Sequence, residues 1–536
     1  MGTAGPLPEE TFSTTVFLMT LLDSKVTTVN GIVEGARGKR TRRGTISWRG
    51  IPFAAPPVAG RRFRAPEPAP NWPGVRDCTA MAKAAIQEKR FTAVAPGKFA
   101  PMSEDCLTLN VYSPDSVSSK PRPVMVFIHG GAYILGTAAT PLYDGSFLAR
   151  SRDVIVVTVQ YRFGPFGYLD LGAYATDDRP FDSNCGLRDQ VAALEWVRDN
   201  IAAFGGDPAN VTVFGESAGG SSVLSLLSAP AAQGLFVRAI AQSPAPELTV
   251  DQDLARLYAD EFVRILRDPQ RRNTTLERTE APIEPEEAQR LLSIANPTEL
   301  LRAGSHLMSF TMKVGAPDPI PFGPVVDGSY LPRSPLDAAR AGTTHPVPLI
   351  IGTNREEGQL FSKLWNVLLE TEQALLKVTD DETRREIAAL YQGGDRDLIR
   401  LAGDAIFWAP MTAFADGHSA VAPTYVYRYD YETRILKATG FGATHATELF
   451  SVFGAYRAPM GVGLAVGAWR ASGRVIDDVQ TRWTGFARTG DPGIGWPVYT
   501  IGDRKVLVIN DPDRVVTDPD AQRRQAWSKA HAEVGS

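Results

Sequence analysis

A serine held in Gly215-Glu216-Ser217-Ala218-Gly219, with Gly220 next, is the residue of this chain best placed to do chemistry. The five residues fit G-x-S-x-G. The apolar, β-branched run Val211-Thr212-Val213-Phe214 precedes them, and a helical-looking segment begins at Ser221. Strand, sharp turn and helix are the setting in which such a serine is presented as a nucleophile. Small residues at 215 and 219 let neighbouring chains approach a strained turn. A serine hydroxyl is a weak nucleophile. It needs a base, an acid that orients the base, and donors for the anion that forms.

The first amide beyond the nucleophile belongs to Ala218. A second source of donors follows the apolar run Val124–Ile128, at His129-Gly130-Gly131-Ala132. Glycines there present backbone N–H groups without side-chain obstruction. Gly130, Gly131 and Ala218 are the candidate oxyanion donors. His129 reads as a residue that fixes this loop or packs on the sheet, with a role as general base the alternative.

In this strand order the base belongs later in the chain. His445, in GFGATHATELF, follows a Gly-rich loop and precedes a helical segment, where loops at strand ends carry function. It leads over His418, in DGHSA. His306 sits in a helical run, His345 precedes a strand and His531 is near the terminus. For the acid, VPLIIGTNREEG ends a buried strand near Gly352 and brings Glu356 and Glu357 into a loop. Spacing does not separate these two.

The elements that must hold these groups follow from hydrophobic pattern. Residues 107–112, 124–128, 154–159, 211–214, 237–243, 347–352, 424–429 and 505–509 are predicted strands. Leu187, Val191, Leu194, Val197 and Ile201 recur at helical spacing and predict a helix over 187–202 that covers the sheet. Helices are also predicted over 221–228 and 469–485. The alternation implies a largely parallel sheet with helices on both faces. TTVNGIVEGA, at 27–36, predicts an antiparallel element before it. Val75 to Ile86 is expected to recover some regular structure. Residues 251–312 are mainly helical in pattern, and Arg271–Glu284 reads as an exposed connection. The expected organisation is a flexible extension over 1–25, one α/β catalytic domain over 26–520 and a polar segment over 521–536. Insertions are expected at 244–346 and 358–423.

Composition fits a globular protein: 43% of the 536 residues are hydrophobic and 22% charged, with a formal net charge of −4. No long basic tract appears, so nucleic-acid binding has little support. Cys78, Cys106 and Cys185 form no C-x-x-C pair and suggest no structural zinc site; the odd count leaves at least one thiol free. Residues 11–22 are apolar, but Glu9 and Glu10 precede them without Lys or Arg. That is a poor signal peptide and too short for a membrane span. A cytoplasmic protein is expected, with secretion the alternative and Met19 an alternative start to Met1. Neither a monomer nor a homodimer is favoured.

The chain resembles the type-B carboxylesterase and cholinesterase family of α/β-hydrolases. The resemblance runs from about Val29 to Val515. It rests on RGIPFAAPPVAGRRFRAPEP (49–68), EDCLTLNVYSP (104–114), HGGAY (129–133), YRFGPFGY (161–168), and NCGLRDQVAALEWVRDNIAAFGGDPANVTVFGESAGG (184–220). FGPVVDG, GTNREEG and the stretch ending at His445 complete it. The resemblance implies the α/β-hydrolase fold and hydrolysis of small or aromatic carboxylic esters through an acyl-enzyme. It needs no metal or cofactor, only the ester and water. Carbamate or amide hydrolysis by the same triad is the alternative. The family also holds noncatalytic adhesion proteins, which usually break the triad.

The resemblance assigns the acid to Glu357 rather than Glu356, and the base to His445. It implies that Glu216 tunes the field of the site and that Ser243 supports the triad. Phe163, Phe166, Tyr133 and Phe361 are candidates to line a substrate pocket. Cys106 matches half of a disulfide common in secreted relatives, whose partner would fall near Ala85. Cys78 is displaced from that place, so a Cys78–Cys106 bridge stays open and a reduced compartment is favoured. The stretch AVAPGKFAPM lacks the tryptophan with which cholinesterases hold quaternary ammonium, which argues against acetylcholine. Gln160 and Pro244 replace the usual asparagine and glycine.

Overall fold

A computed structural model describes residues 21–271, 276, 281–316, 320–365, 374–458 and 461–533. The expected flexible extension lies mostly outside these residues, as do Met19 and most of the connection at 271–284. Leu22 N–H already bonds Asp115 O at 2.8 Å.

The core is one eleven-stranded sheet. Its strands in chain order are β1 (Ala36–Arg37), β2 (Thr45–Pro52), β3 (Thr108–Pro114), β4 (Arg122–Ile128), β5 (Ile155–Val159) and β6 (Gly206–Glu216). Then come β7 (Arg238–Gln242), β8 (Leu349–Asn354), β9 (Thr424–Tyr429), β10 (Lys505–Ile509) and β11 (Arg514–Thr517). Their order across the sheet is β11-β10-β9-β8-β7-β6-β4-β5-β3-β2-β1. From β10 through β5 every neighbouring pair is parallel. The outer pairs at both edges are antiparallel. Ahead of the sheet, Lys25–Thr28 and Gly31–Glu34 form an antiparallel hairpin, and Val75–Asp77 adds in parallel.

The strands are buried on both faces, and their side chains alternate between two cores. Val124, Val126, Ile128, Val211 and Val213 face one core with Leu187, Val191, Leu194 and Val197 of the helix Cys185–Asn200. Met125, Phe127, Phe214, Ile240 and Ile350 face the other, against Val475, Ile476, Val479 and Trp483 of the helix Trp469–Thr489. The predicted helical stripe at 187–201 is therefore the face that covers the sheet.

The insertions hold the helices Gln252–Arg267, Pro285–Ile294 and Pro297–Lys313 in the first, and Asp381–Ala388, Asp395–Gly403 and Ala409–His418 in the second. Of Val75–Ile86 only Val75–Asp77 is regular. The polar end forms a helix, Ala521–Glu533. Cys78, Cys106 and Cys185 are free and buried, so the open Cys78–Cys106 bridge is absent. Burial pushes the Cys78 and Cys185 thiols up to about 11. No helix among the described residues is long and apolar enough to cross a membrane.

Candidate active site

Parallel strands share one end, and loops leaving that end converge. β4 runs into His129-Gly130-Gly131, β6 into Ser217, β7 into Ser243, β8 into Glu357, and the loop after β9 carries His445.

Ser217 has φ 58° and ψ −128°, and the helix Ala218–Ser228 starts directly behind it. This turn depends on the absence of side chains at Gly215 and Gly219. A Cβ on Gly219 would lie 2.0 Å from Ile128 O, and one on Gly215 would lie 2.3 Å from Gly219 O. Ser217 N–H bonds Gln242 O at 2.9 Å, which ties the turn to the end of β7.

Glu357 and His445 meet directly. Glu357 Oε2 is 2.5 Å from His445 Nδ1, and both residues are buried. Glu357 Oε1 accepts from Ser243 Oγ at 2.7 Å and from Asn354 N–H at 2.6 Å. Three contacts therefore fix this carboxylate. Glu356, the other sequence candidate, turns away toward Arg355 and Arg396, at 3.4 and 3.7 Å. Its own N–H bonds Ala443 O at 2.9 Å and pins the acid loop to the histidine loop.

His445 Nε2 faces the serine turn. It lies 3.1 Å from Glu216 Oε1 and makes no hydrogen bond among the described residues. Burial would push this imidazole down. The carboxylates of Glu216 and Glu357 outweigh it and raise it to about 9. Burial drives the Glu216 carboxyl up; His445 opposes that shift, while Glu448 and Glu357 add to it.

Glu448 was not singled out by the sequence reading. It lies three residues past His445, in the turn that leads into the helix Leu449–Val452, where an acid amid ATELF was the available signal. It is buried and accepts from Asn354 Nδ2 at 2.5 Å and Gln242 Nε2 at 3.3 Å. Burial, then Glu357, pushes its carboxyl up, to about 7. Phe407 was also missed. Its ring lies 4.6 Å from the His445 ring, and Phe361 lies 5.1 Å from it. Phe407 comes from a π-helical turn, Asp404–Trp408, a local widening that no residue pattern announced.

Gly130 lies against the serine turn, with Gly131 next to it in the chain, and Ala218 follows Ser217. Gly130 is so close that a Cβ there would meet Ser217 Cβ at 2.8 Å. Gly131, Ala132 and Tyr133 have φ of +121°, +50° and +57°. Three successive positive φ angles mark a sharply turned loop, a conformation that L side chains rarely adopt. The N–H groups of Gly130, Gly131 and Ala218 take no protein acceptor among the described residues.

The remaining candidates separate. His418 is buried and held by Thr344 Oγ1 at 2.8 Å and Val347 O at 3.1 Å, far along β8 from its active end. Tyr133 packs on Tyr168 with centroids 4.6 Å apart, Phe163 packs on His129, and Phe166 on Phe63. These three are core residues. Of the four aromatic pocket candidates, Phe361 is the one that touches His445.

The model of the Carboxylesterase family matches residues 22–527. The chain belongs to the carboxylesterase family. Para-nitrobenzyl esterase of Bacillus subtilis (strain 168) is 37% identical over 513 residues, which cover 93% of this chain and 97% of that one. Carboxylesterase 1D of Rattus norvegicus is 35% identical over 493 residues, covering 84% and 83%. Among solved structures, a thermophilic PNB esterase superposes with a TM-score of 0.83 at 35% identity, covering 94% of this chain and 99% of its own. A Geobacillus stearothermophilus carboxylesterase at pH 6.2 gives 0.78 at 35% identity, covering 94% and 100%. This carboxylesterase is a serine hydrolase that acts on esters.

Proposed function

We propose that Ser217, Glu357 and His445 form the catalytic triad and that Gly130, Gly131 and Ala218 hold the oxyanion. The observation that carries this reading is the Glu357–His445 contact of 2.5 Å, with Nε2 on the side of the serine turn, 3.1 Å from Glu216 Oε1. Glu357 holds the ring with Nδ1 protonated and stabilises its cation. His445 Nε2 takes the Ser217 proton as Oγ attacks the ester carbonyl. The carbonyl oxygen gains the negative charge, which the three backbone N–H groups receive. His445 then gives its proton to the leaving alcohol and activates water to release the acid.

Glu216 and Ser243 act around this triad. Glu216 sets the charge opposite Nε2, and Ser243 holds Glu357. The substrate reading is a small or aromatic ester. Phe361 and Phe407, beside His445, support an apolar group there. The Bacillus relative is a para-nitrobenzyl esterase by name, so p-nitrobenzyl esters belong in the first panel. Three free, buried thiols support a reducing compartment, the cytoplasm.

The test is turnover of p-nitrophenyl acetate by wild type and Ser217→Ala, with organophosphonate labelling to locate the nucleophile. Comparable turnover by both would sink the assignment. A panel of esters, carbamates and amides then ranks the substrate classes.

A further inference from the structure

We propose that Tyr161 and His129 are positioning residues of the oxyanion hole, each holding one of its two glycine peptides by the carbonyl oxygen. This rests on the reading that Gly130 and Gly131 N–H groups receive the oxyanion.

In a trans peptide the C=O and N–H lie in one plane and point in opposite directions. Fixing the oxygen therefore aims the N–H. The His129–Gly130 peptide carries the Gly130 N–H, and its oxygen accepts from Tyr161 O–H at 2.8 Å. The Gly130–Gly131 peptide carries the Gly131 N–H, and its oxygen is 2.9 Å from His129 Nδ1. A carbonyl only accepts, so Nδ1 is the protonated nitrogen of this ring. Nε2 is then a bare lone pair, and it is buried without a partner. Such a group costs stability, and the tautomer that the Gly130 carbonyl selects is a reason to keep it.

The two holding groups support each other. The His129 and Tyr161 rings stack with centroids 4.7 Å apart and planes at 26°. Tyr161 follows β5 directly, so the strand beside β4 reaches across to the loop that β4 feeds. On the far side Gly136 closes against the same oxygen. A Cβ at Gly136 would lie 2.6 Å from both Gly130 O and His129 Nδ1. Gln87 grips Gly136 at both ends, accepting its N–H at 2.9 Å and donating to its oxygen at 2.8 Å. Glycine peptides rotate readily when nothing holds them. Donors that are already aimed cost no reorganisation as charge develops, which is the source of their catalytic value. Burial keeps the His129 imidazole near 4, so its tautomer stays neutral through the working range.

Three variants test this: Tyr161→Phe, which keeps the ring and drops the hydroxyl, His129→Phe, and His129→Asn, whose amide N–H can stand in for Nδ1–H. The readouts are kcat and KM on a p-nitrophenyl ester, inhibition by a trifluoromethyl ketone that forms an oxyanion on serine, and the pH profile. Tyr161→Phe and His129→Phe should each lower kcat about tenfold or more, short of the ~10²–10³-fold cost of deleting a donor outright. KM and the pH profile should hold, ketone inhibition should weaken in step with kcat, and His129→Asn should recover most of the His129→Phe loss. A folded Tyr161→Phe enzyme with wild-type kcat and ketone inhibition would overturn the proposal, as would His129→Asn no faster than His129→Phe. Ser217→Ala keeps the two readings apart. If it stays active the triad assignment fails; if it is dead while Tyr161→Phe is fully active, only the peptide-holding role fails.

Discussion

Glu216 Oε1 lies 3.1 Å from His445 Nε2, although Glu216 is the residue immediately before the nucleophile. The turn thus carries both the proposed nucleophile and a carboxyl group facing the proposed base. Nearby carboxylates raise His445 to about 9 against burial, which alone would lower it. Attack on the ester needs Nε2 unprotonated. Activity should therefore rise with pH through neutrality, with its acid limb above the ordinary 6.5.

Replacing Glu216 by Gln removes the carboxylate that contributes most to this upward pull. The acid limb of kcat/KM should then move to lower pH. Profiles from about pH 5 to 10 on both enzymes check this, since they bracket the ordinary and raised histidine values. A limb that does not move would mean that Glu216 leaves the base unaffected.

Ser243→Ala should weaken the triad without disturbing the fold. The hydroxyl donates to Glu357 Oε1 at 2.7 Å and accepts from Asn354 Nδ2 at 3.1 Å. Losing a buried hydrogen bond to a charged group costs about 1.5–3 kcal/mol, so kcat should fall about tenfold or more. KM should change little. Steady-state kinetics, with near-UV circular dichroism as a folding control, decide it.

Gly219→Ala should be far more damaging than its single methyl suggests. The new Cβ would sit 2.0 Å from Ile128 O, a backbone atom of β4 that cannot turn aside. A loss of about 3 kcal/mol or more is expected, with Ser217 displaced. Gly60→Ala, where a Cβ meets nothing within 4 Å, is the control and should stay within about 0.5 kcal/mol of wild type. Urea unfolding of both variants makes the comparison.

His418 should withdraw stability in mild acid for a reason separate from the active site. Burial lowers His418 to about 4 from its ordinary 6.5. Below 6.5 the unfolded chain takes up a proton that the folded chain refuses. The folded state then loses stability as pH falls from 6.5 toward 4, by about 2 kcal/mol at pH 5 for one such group. His129, lowered to about 4 by burial, adds in the same sense. His445, which is raised, acts in the opposite sense, and its window lies between 6.5 and 9. The buried carboxyls of Glu216 and Glu448, which are raised, also act in the opposite sense, so the check is a difference: from pH 7 to pH 5, urea unfolding of His418→Gln should shift relative to wild type by about 2 kcal/mol toward greater stability.

Much of this enzyme can be read from local pattern. Runs such as Val124–Ile128 and Val211–Phe214 announce buried parallel strands because both faces must be apolar. The stripe Leu187-Val191-Leu194-Val197 announces its covering helix because 3.6 residues make one turn. Gly215, Gly219 and the serine between them announce a strained turn because only a chain without side chains passes so near Ile128 O. The family motifs add the order of acid and base, which periodicity could not supply for Glu356 and Glu357.

Tertiary structure decided the rest. Glu356 and Glu357 are adjacent, and β8 ends just before both. Only the register of the loop against Ala443 turns one toward His445 and the other toward Arg355 and Arg396. Glu448, Phe407 and Tyr161 reach the site from different segments, so no local spacing could bring them together. The loop from His129 to Gly136 is likewise held by distant residues, Tyr161 at His129 O and Gln87 at Gly136. The sequence by itself determined which groups are candidates for the chemistry, because nucleophile, base, acid and donors each need a side chain or turn of a specific type. What only the tertiary structure decided is the field and aim of those groups, because charge and hydrogen bonding act through space between segments that the chain keeps far apart.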